Sequence, residues 1–153
     1  MDLIIEEVVD IDDTDPIHLL YEAATRGKLD VIKRLVEIHG IDIIINNPHI
    51  MLSASFNGRL EVVKYLYESK LFNSLLLHQV LMHAIIKNDI DIVKYLVKNG
   101  IDVNMNDGEA LFQAKFSYVP EELISPVQTD IVDFLVENGA KCSETIILKF
   151  VKI

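Results

Sequence analysis

The chain repeats itself with a period of about 30 residues. Four segments align in register, and they read AATRGKLDVIKRLVE from Ala23, ASFNGRLEVVKYLYE from Ala54, AIIKNDIDIVKYLVK from Ala84, and AKFSYVPEELISPVQTDIVDFLVE from Ala114. The four alanines are 31, 30 and 30 residues apart. A fixed period of this length is typical of solenoids, in which each unit buries its apolar face only against its neighbours.

Each unit contains two helical patterns. Apolar residues recur at helical spacing in the second half of a unit (Val62, Val63, Leu66 and Tyr67) and in the first half (Val80, Leu81, Ala84 and Ile85). An acid opens each second half, at Asp30, Glu61, Asp91 and Asp130, where it suits the positive end of a helix dipole. Glycines at 40, 100 and 139 can end the second helices in the left-handed conformation. The pattern therefore predicts an all-α array of helical hairpins.

The segments GRLEVVKYL and NDIDIVKYLVKNGIDVN resemble the ankyrin repeat, and the resemblance extends over residues 17–153. It implies an ankyrin-type helical-hairpin solenoid of four repeats plus a truncated C-terminal capping helix, with short inter-repeat loops. The Thr-Pro-Leu-His turn of the family is absent, because its positions read HLLY, HIML, QVLM and EALF. The repeats are also about three residues shorter than the usual 33.

This register divides the chain into an acidic N-terminal leader or cap, residues 1–16, and an array, residues 17–153. The repeats cover residues 17–46, 47–73, 74–104 and 105–139, and residues 140–153 form the C-terminal cap. The fourth repeat carries an inserted segment, residues 117–127, with two prolines. Pro120 suits the first turn of a short helix, and we expect Pro126 to end it.

The net charge of −10 is concentrated at one end of the chain. Residues 1–15 hold seven acids and no Lys or Arg, and no basic stripe follows, so nucleic acid is not an expected partner. No apolar run reaches the roughly 20 residues that cross a bilayer, and the N-terminus lacks the basic start of a signal peptide. With a single cysteine, Cys142, these features favour a cytoplasmic or nuclear protein that does not bind membranes.

No motif for catalysis or for a cofactor is visible. His78 and His83 are five residues apart, which places them on different faces of a helix, and the glycines are scattered singly. We therefore expect no enzyme activity, no metal and no cofactor.

The resemblance implies that a partner protein meets the concave face, which in this family is made by the hairpin tips and the flank of the first helices. The positions that follow each alanine pair are Thr25, Arg26, Phe56, Asn57, Ile86, Lys87, Phe116 and Ser117. Among them, Phe56, Ile86 and Phe116 form what we call the apolar ladder. Such large apolar residues are either exposed anchors for a partner or part of the core.

Further candidate contacts lie at the hairpin tips and in the insertion. The tip residues are His49, His78 and Asp107, and the insertion offers Tyr118 and Leu123 beside Val119. The segment LVKNGIDVN resembles the asparaginyl-hydroxylation pattern of ankyrin repeats, with Asn104 as the acceptor, although the same residues are an ordinary repeat ending.

The function expected from this sequence is the binding of another protein, by a monomer or a weakly self-associating chain. The rival hypothesis is a structural protein that stacks on copies of itself through its incompletely capped C-terminal end, where the sequence offers Ile146, Ile147, Phe150 and Val151.

Overall fold

The computed structural model describes residues 15–37, 40, 49–69, 72–116 and 126–144, with the backbone alone for residues 126–128. These residues form eight α-helices and no strand, which confirms the all-α prediction. In chain order the helices are α1 (Pro16–Arg26), α2 (Leu29–Glu37), α3 (His49–Phe56), α4 (Leu60–Glu68), α5 (Ser74–Ile86), α6 (Ile90–Lys98), α7 (Met105–Phe116) and α8 (Pro126–Glu137). The leader up to residue 14 and the cap beyond residue 144 lie outside the described residues.

The helices form two layers. Each odd-numbered helix packs against the even-numbered helix that follows it, so each repeat is a helical hairpin. The first helices α1, α3, α5 and α7 pack closely on one another in chain order, and the second helices α2, α4, α6 and α8 contact each other more sparsely. The ankyrin resemblance assigns the concave face to the flank of the first helices, and we keep this name for the outer flank of the first-helix layer.

The alanine period sets the spacing of the first helices. Ala23, Ala54, Ala84 and Ala114 are all at most 5% exposed, as the period predicted. A methyl group at each of these positions lets the next first helix approach closely, whereas a longer side chain would force the helices apart. On the second helices, aliphatic residues such as Ile32, Leu66 and Leu96 fill the space between the layers.

One backbone turn joins the first helix to the second in three repeats. Gly27, Gly58 and Asn88 occupy this turn with φ of 75°, 67° and 56°. The next N–H then donates back to the carbonyl of the repeat alanine, from Lys28 to Ala23 at 2.8 Å, Arg59 to Ala54 at 2.8 Å and Asp89 to Ala84 at 2.9 Å. This is the bond of a Schellman motif, which satisfies a carbonyl at the helix end. Asn replaces Gly in the third repeat because its short polar side chain tolerates the left-handed region.

Two second helices end as predicted, since Gly100 and Gly139 follow α6 and α8 with positive φ. Gly40 also has positive φ, but residues 38–39 between it and α2 lie outside the described residues. The predicted start of the fourth second helix is wrong. Helix α8 begins at Pro126, so Asp130 lies in its second turn, away from the free N–H groups of the first turn. Pro126 begins this helix, a position where its missing N–H leaves no hydrogen bond unmade.

A contact between a lysine and an aromatic ring recurs along the layer of second helices. The ammonium group of Lys33 lies 5.6 Å from the ring centroid of Tyr65, Lys64 lies 5.9 Å from Tyr95, and Lys94 lies 5.9 Å from Phe134. The three lysines occupy equivalent positions, and each contacts a ring of the next repeat that stands one residue after that repeat's own equivalent position. Burial raises the pKa of both tyrosines, and the carboxylates of Glu37 and Glu68 add to this effect. Each pair contributes about 0.5–1 kcal/mol at such exposed sites.

Gly108 joins the fourth repeat to the segment that follows α8. It lies among three consecutive residues of positive φ, Asn106, Asp107 and Gly108, which precede the regular turns of α7. A Cβ at Gly108 would overlap the backbone carbonyl of Lys141. The amide of Ser143 also donates to the carbonyl of Asp107 at 3.1 Å, so two backbone segments meet here without a side chain between them.

We expect Gly108→Ala to lower the free energy of unfolding by about 3 kcal/mol or more, because strain at positive φ adds to a clash with backbone. Gly100→Ala is the matched control, since Gly100 has φ of 92° and nothing within 4 Å of an added Cβ. That control should cost only about 1–2 kcal/mol. Urea unfolding followed by circular dichroism measures both, and equal losses would contradict the close approach at Lys141.

Candidate functional site

The apolar ladder is exposed on the concave face. Phe56, Ile86 and Phe116 are 46%, 49% and 58% exposed, and each is the last residue of its first helix. The alternative in which shortened loops bring them into the core therefore does not hold for this structure. Exposed large apolar side chains thus recur at equivalent positions of three successive repeats, and apolar residues grouped in this way on a surface mark candidate interaction sites.

Two side chains, Lys87 and His83, contact the ring of Phe56. The ammonium group of Lys87 lies 3.8 Å from its ring centroid, close enough for a cation–π contact. His83 meets the ring edge to face, with the ring centroids 5.9 Å apart. At the other end of the ladder, Phe116 lies against Phe112 at 4.9 Å between centroids. Both phenylalanines are thus held in defined positions while one side of each remains open.

Two adjoining depressions line the concave face beside the ladder. One, of about 520 Å³, is bounded by Tyr21, His49, Leu52, Ser53, Phe56, Asn57 and His83. The other, of about 580 Å³, shares His49, Leu52 and His83 and extends along α5 and α7 past Met82, Ile86 and Glu109. Volumes of this size admit large side chains of a partner.

Sequence reasoning missed Tyr21, Leu52 and His83 in this groove. Tyr21 is 41% exposed, and His83 is half-buried with its Nδ1 atom 3.5 Å from the carbonyl of Leu52. A signal for His83 was present, because the residues directly before the repeat alanines are Glu22, Ser53, His83 and Gln113. A polar residue next to a buried alanine in every repeat indicates a helix edge that faces the groove.

The predicted polar contacts divide into two groups. Thr25 and Asn57 are engaged within the stack: the Thr25 hydroxyl donates to the carbonyl of Tyr21 at 2.9 Å and lies 2.8 Å from the Ser53 hydroxyl. The Asn57 amide donates to the carbonyl of Ser53 at 2.8 Å. Arg26 and Lys87 are exposed, and Arg26 pairs with Glu22 at 3.1 Å on the same helix. Asn57 is exposed as well, and Lys87, which pairs with no carboxylate of the described residues, is the most available of the four to a partner.

The hairpin-tip residues do not all lie where the sequence placed them. His49 and Asp107 are exposed, but the placement of His78 at an exposed tip is wrong. His78 is only 2% exposed, because α5 begins at Ser74 and residue 78 faces α7 from its second turn. Its Nε2 atom lies 3.1 Å from Oε2 of Glu109, and its buried Nδ1 has no partner among the described residues. His78 thus joins the third and fourth repeats.

Asn104 also joins two repeats. Its side-chain amide donates to the carbonyl of Gly139 at 3.0 Å, and its side-chain oxygen accepts from the N–H of Lys141 at 2.7 Å. Hydroxylation at this residue stays a prediction. The insertion residues Tyr118 and Leu123 lie outside the described residues.

Within residues 15–37, 49–69, 72–116 and 126–144, no group of three His, Cys, Asp or Glu side chains is placed to hold a metal ion. In the same part of the chain, every helix is too short or too polar to cross a bilayer.

Asn104→Ala should lower the free energy of unfolding by about 1–2 kcal/mol, because two hydrogen bonds between repeats are lost. Asn99→Ala is the matched control, since the Asn99 amide donates to Tyr95 within its own repeat. The control should cost less than about 1 kcal/mol. Both values come from urea unfolding, and a larger loss for Asn99→Ala would show that the bridge from Asn104 adds nothing.

Comparison with known proteins agrees with this architecture. The family model described as ankyrin repeats (three copies) matches residues 20–107 and residues 51–146. No curated protein matches the chain. Ankyrin repeats generally mediate protein–protein interaction. The two matches together span residues 20–146 of 153, and the hairpins, the alanine period and the concave first-helix layer follow the same repeat: the chain belongs to the ankyrin-repeat family.

Proposed function

We propose that this chain is a non-enzymatic protein-binding module that holds a partner protein on its concave face through Phe56, Ile86 and Phe116. The observation that supports the proposal is the exposure of these three side chains, each about half open to solvent at the same position of successive first helices. The stack does not need them for its core, because the buried alanines and the aliphatic residues of the second helices fill that space.

The apolar ladder can supply most of the binding energy. Full burial of a Phe or Ile side chain is worth about 1.5–3 kcal/mol, and roughly half of each remains to be buried by a partner. Aromatic anchors in preformed pockets are the usual hot spots of protein interfaces. Phe56 is well suited to this role, since Lys87 and His83 already fix its ring and little conformational freedom is lost on binding.

The polar residues of the face set the register of the partner. Arg26 and Lys87 lie beside the ladder, and His49 and Asp107 lie at the hairpin tips. Contacts at a polar rim contribute specificity more than affinity. Self-assembly through the C-terminal end is the rival function. Its residues from 145 onward lie outside the described residues, and no observation in the described part favours it.

The double substitution Phe56→Ala with Ile86→Ala tests the proposal. Because both side chains are exposed, the far-ultraviolet circular dichroism and the unfolding midpoint should stay close to those of the wild type. Partner proteins retained by the immobilised wild-type chain from a native cell extract should bind at least about tenfold more weakly.

Val136→Ala is the matched control for this experiment. Val136 is 50% exposed on α8, in the other layer, so its loss should leave binding unchanged. Unfolding of the double variant would show that the ladder belongs to the core. Equal binding by all three proteins would show that the concave face is not the interface.

A further inference from the structure

The charges of this acidic chain avoid the centre of the concave face. The chain holds 24 Asp and Glu residues. Helices α3 and α5, of 8 and 13 residues, contain none of them, and no Lys or Arg either. Their only titratable groups are the imidazoles of His49, His78 and His83. The centre of the groove is therefore free of carboxylates in a protein whose net charge is −10.

Several carboxylates at the edges of this face, among the described residues, are already engaged. Glu22 pairs with Arg26, and Glu109 contacts His78 and accepts from the amide of Asn106 at 2.9 Å. In the first turn of α4, Glu61 pairs with Lys64 at 2.7 Å. In the turn that follows α5, Asp89 accepts from the N–H of Ile92 at 3.0 Å. Asp30 and Asp91 lie in the first turns of α2 and α6, where the helix dipole favours a negative charge.

The cations at the same edge lack such partners. Lys28, Arg59, Lys87 and Lys115 are exposed, and within the described residues none of them forms an ion pair with a carboxylate. Arg59 donates through Nε to the carbonyl of Thr25 at 2.9 Å, which leaves its terminal nitrogens available. Lys87 projects over the ring of Phe56, and Phe56 in turn lines the 520 Å³ depression.

Resting on the proposed function, we propose that the concave face recognises an acidic peptide segment in which a bulky apolar residue stands next to an Asp or Glu. The apolar side chain enters the depression bounded by Tyr21, Leu52 and Phe56. The neighbouring carboxylate then lies at the rim, within reach of Lys87 or Arg59. Carboxylates elsewhere on the partner are tolerated along α3 and α5 because these two helices carry no Asp or Glu to repel them.

The experiment uses a phage-displayed library of random peptides, selected on the immobilised full chain. The double variant Phe56→Ala with Ile86→Ala serves for counter-selection, so that only peptides which depend on the concave face are kept. We expect these peptides to be enriched in Asp and Glu adjacent to Phe, Leu, Ile or Trp. Synthetic copies of the selected peptides should bind more weakly at high salt.

Charge variants then test the assigned cations on the synthetic peptides. Lys87→Gln and Arg59→Gln should each weaken binding about two- to fivefold, as expected for a rim charge pair. Lys98→Gln, which removes an exposed cation from α6 in the other layer, should have no effect. Equal effects of all three substitutions would show that only the net charge of the protein matters, and would overturn the assignment of Lys87 and Arg59 as contacts of the peptide carboxylate.

The two proposals fail in different ways. Face-dependent peptides without enrichment in acids would overturn the acidic partner and leave the proposed function standing. If no selected peptide depends on the face, the acidic partner is likewise overturned, whereas the proposed function is judged separately by the proteins that the wild-type chain retains.

Discussion

No hairpin of this chain can bury its own apolar face, so every helix depends on the close approach of the next first helix. Four buried alanines make that approach possible, and the positive-φ turn that follows them in three repeats returns the chain to the second layer. The two features are linked by hydrogen bonds from the turn amide to the alanine carbonyl. The first helices pack closely on one another, whereas the second helices contact each other more sparsely.

The sequence predicted the fold well because a repeated pattern averages out local ambiguity. The alanine period, the helix stripes and the glycine stops each occurred in at least three units, and the structure contains all of them. Errors arose where a unit departs from the period. Asp130 was placed in a first turn because the other repeats place an acid there, whereas α8 begins at Pro126, four residues before Asp130.

The candidate site was less predictable because it depends on which way single side chains face. The position of Phe56, Ile86 and Phe116 in one row beside the alanines was predicted, but the sequence left open whether they are exposed or part of the core. The burial of His78 did not, since it needed the start of α5 and the carboxylate of Glu109 from the next repeat. The groove residues Tyr21 and His83 became visible only when neighbouring first helices were packed together, because each depression is bounded by more than one helix.

The lysine–aromatic contacts of the second helices bear on how such an array can change its length. Each internal junction uses the same pair, a lysine from one unit and a ring from the next. In the first unit Arg34 stands at the position of the aromatic residue. In the fourth unit Asp133 stands at the position of the lysine. Each of these two units therefore has only the one member of the pair that faces the neighbouring unit. Removal or duplication of an internal unit would bring a lysine and a ring together again at the new junction. The gain or loss of whole repeats during evolution is then compatible with the chemistry of every junction in this layer.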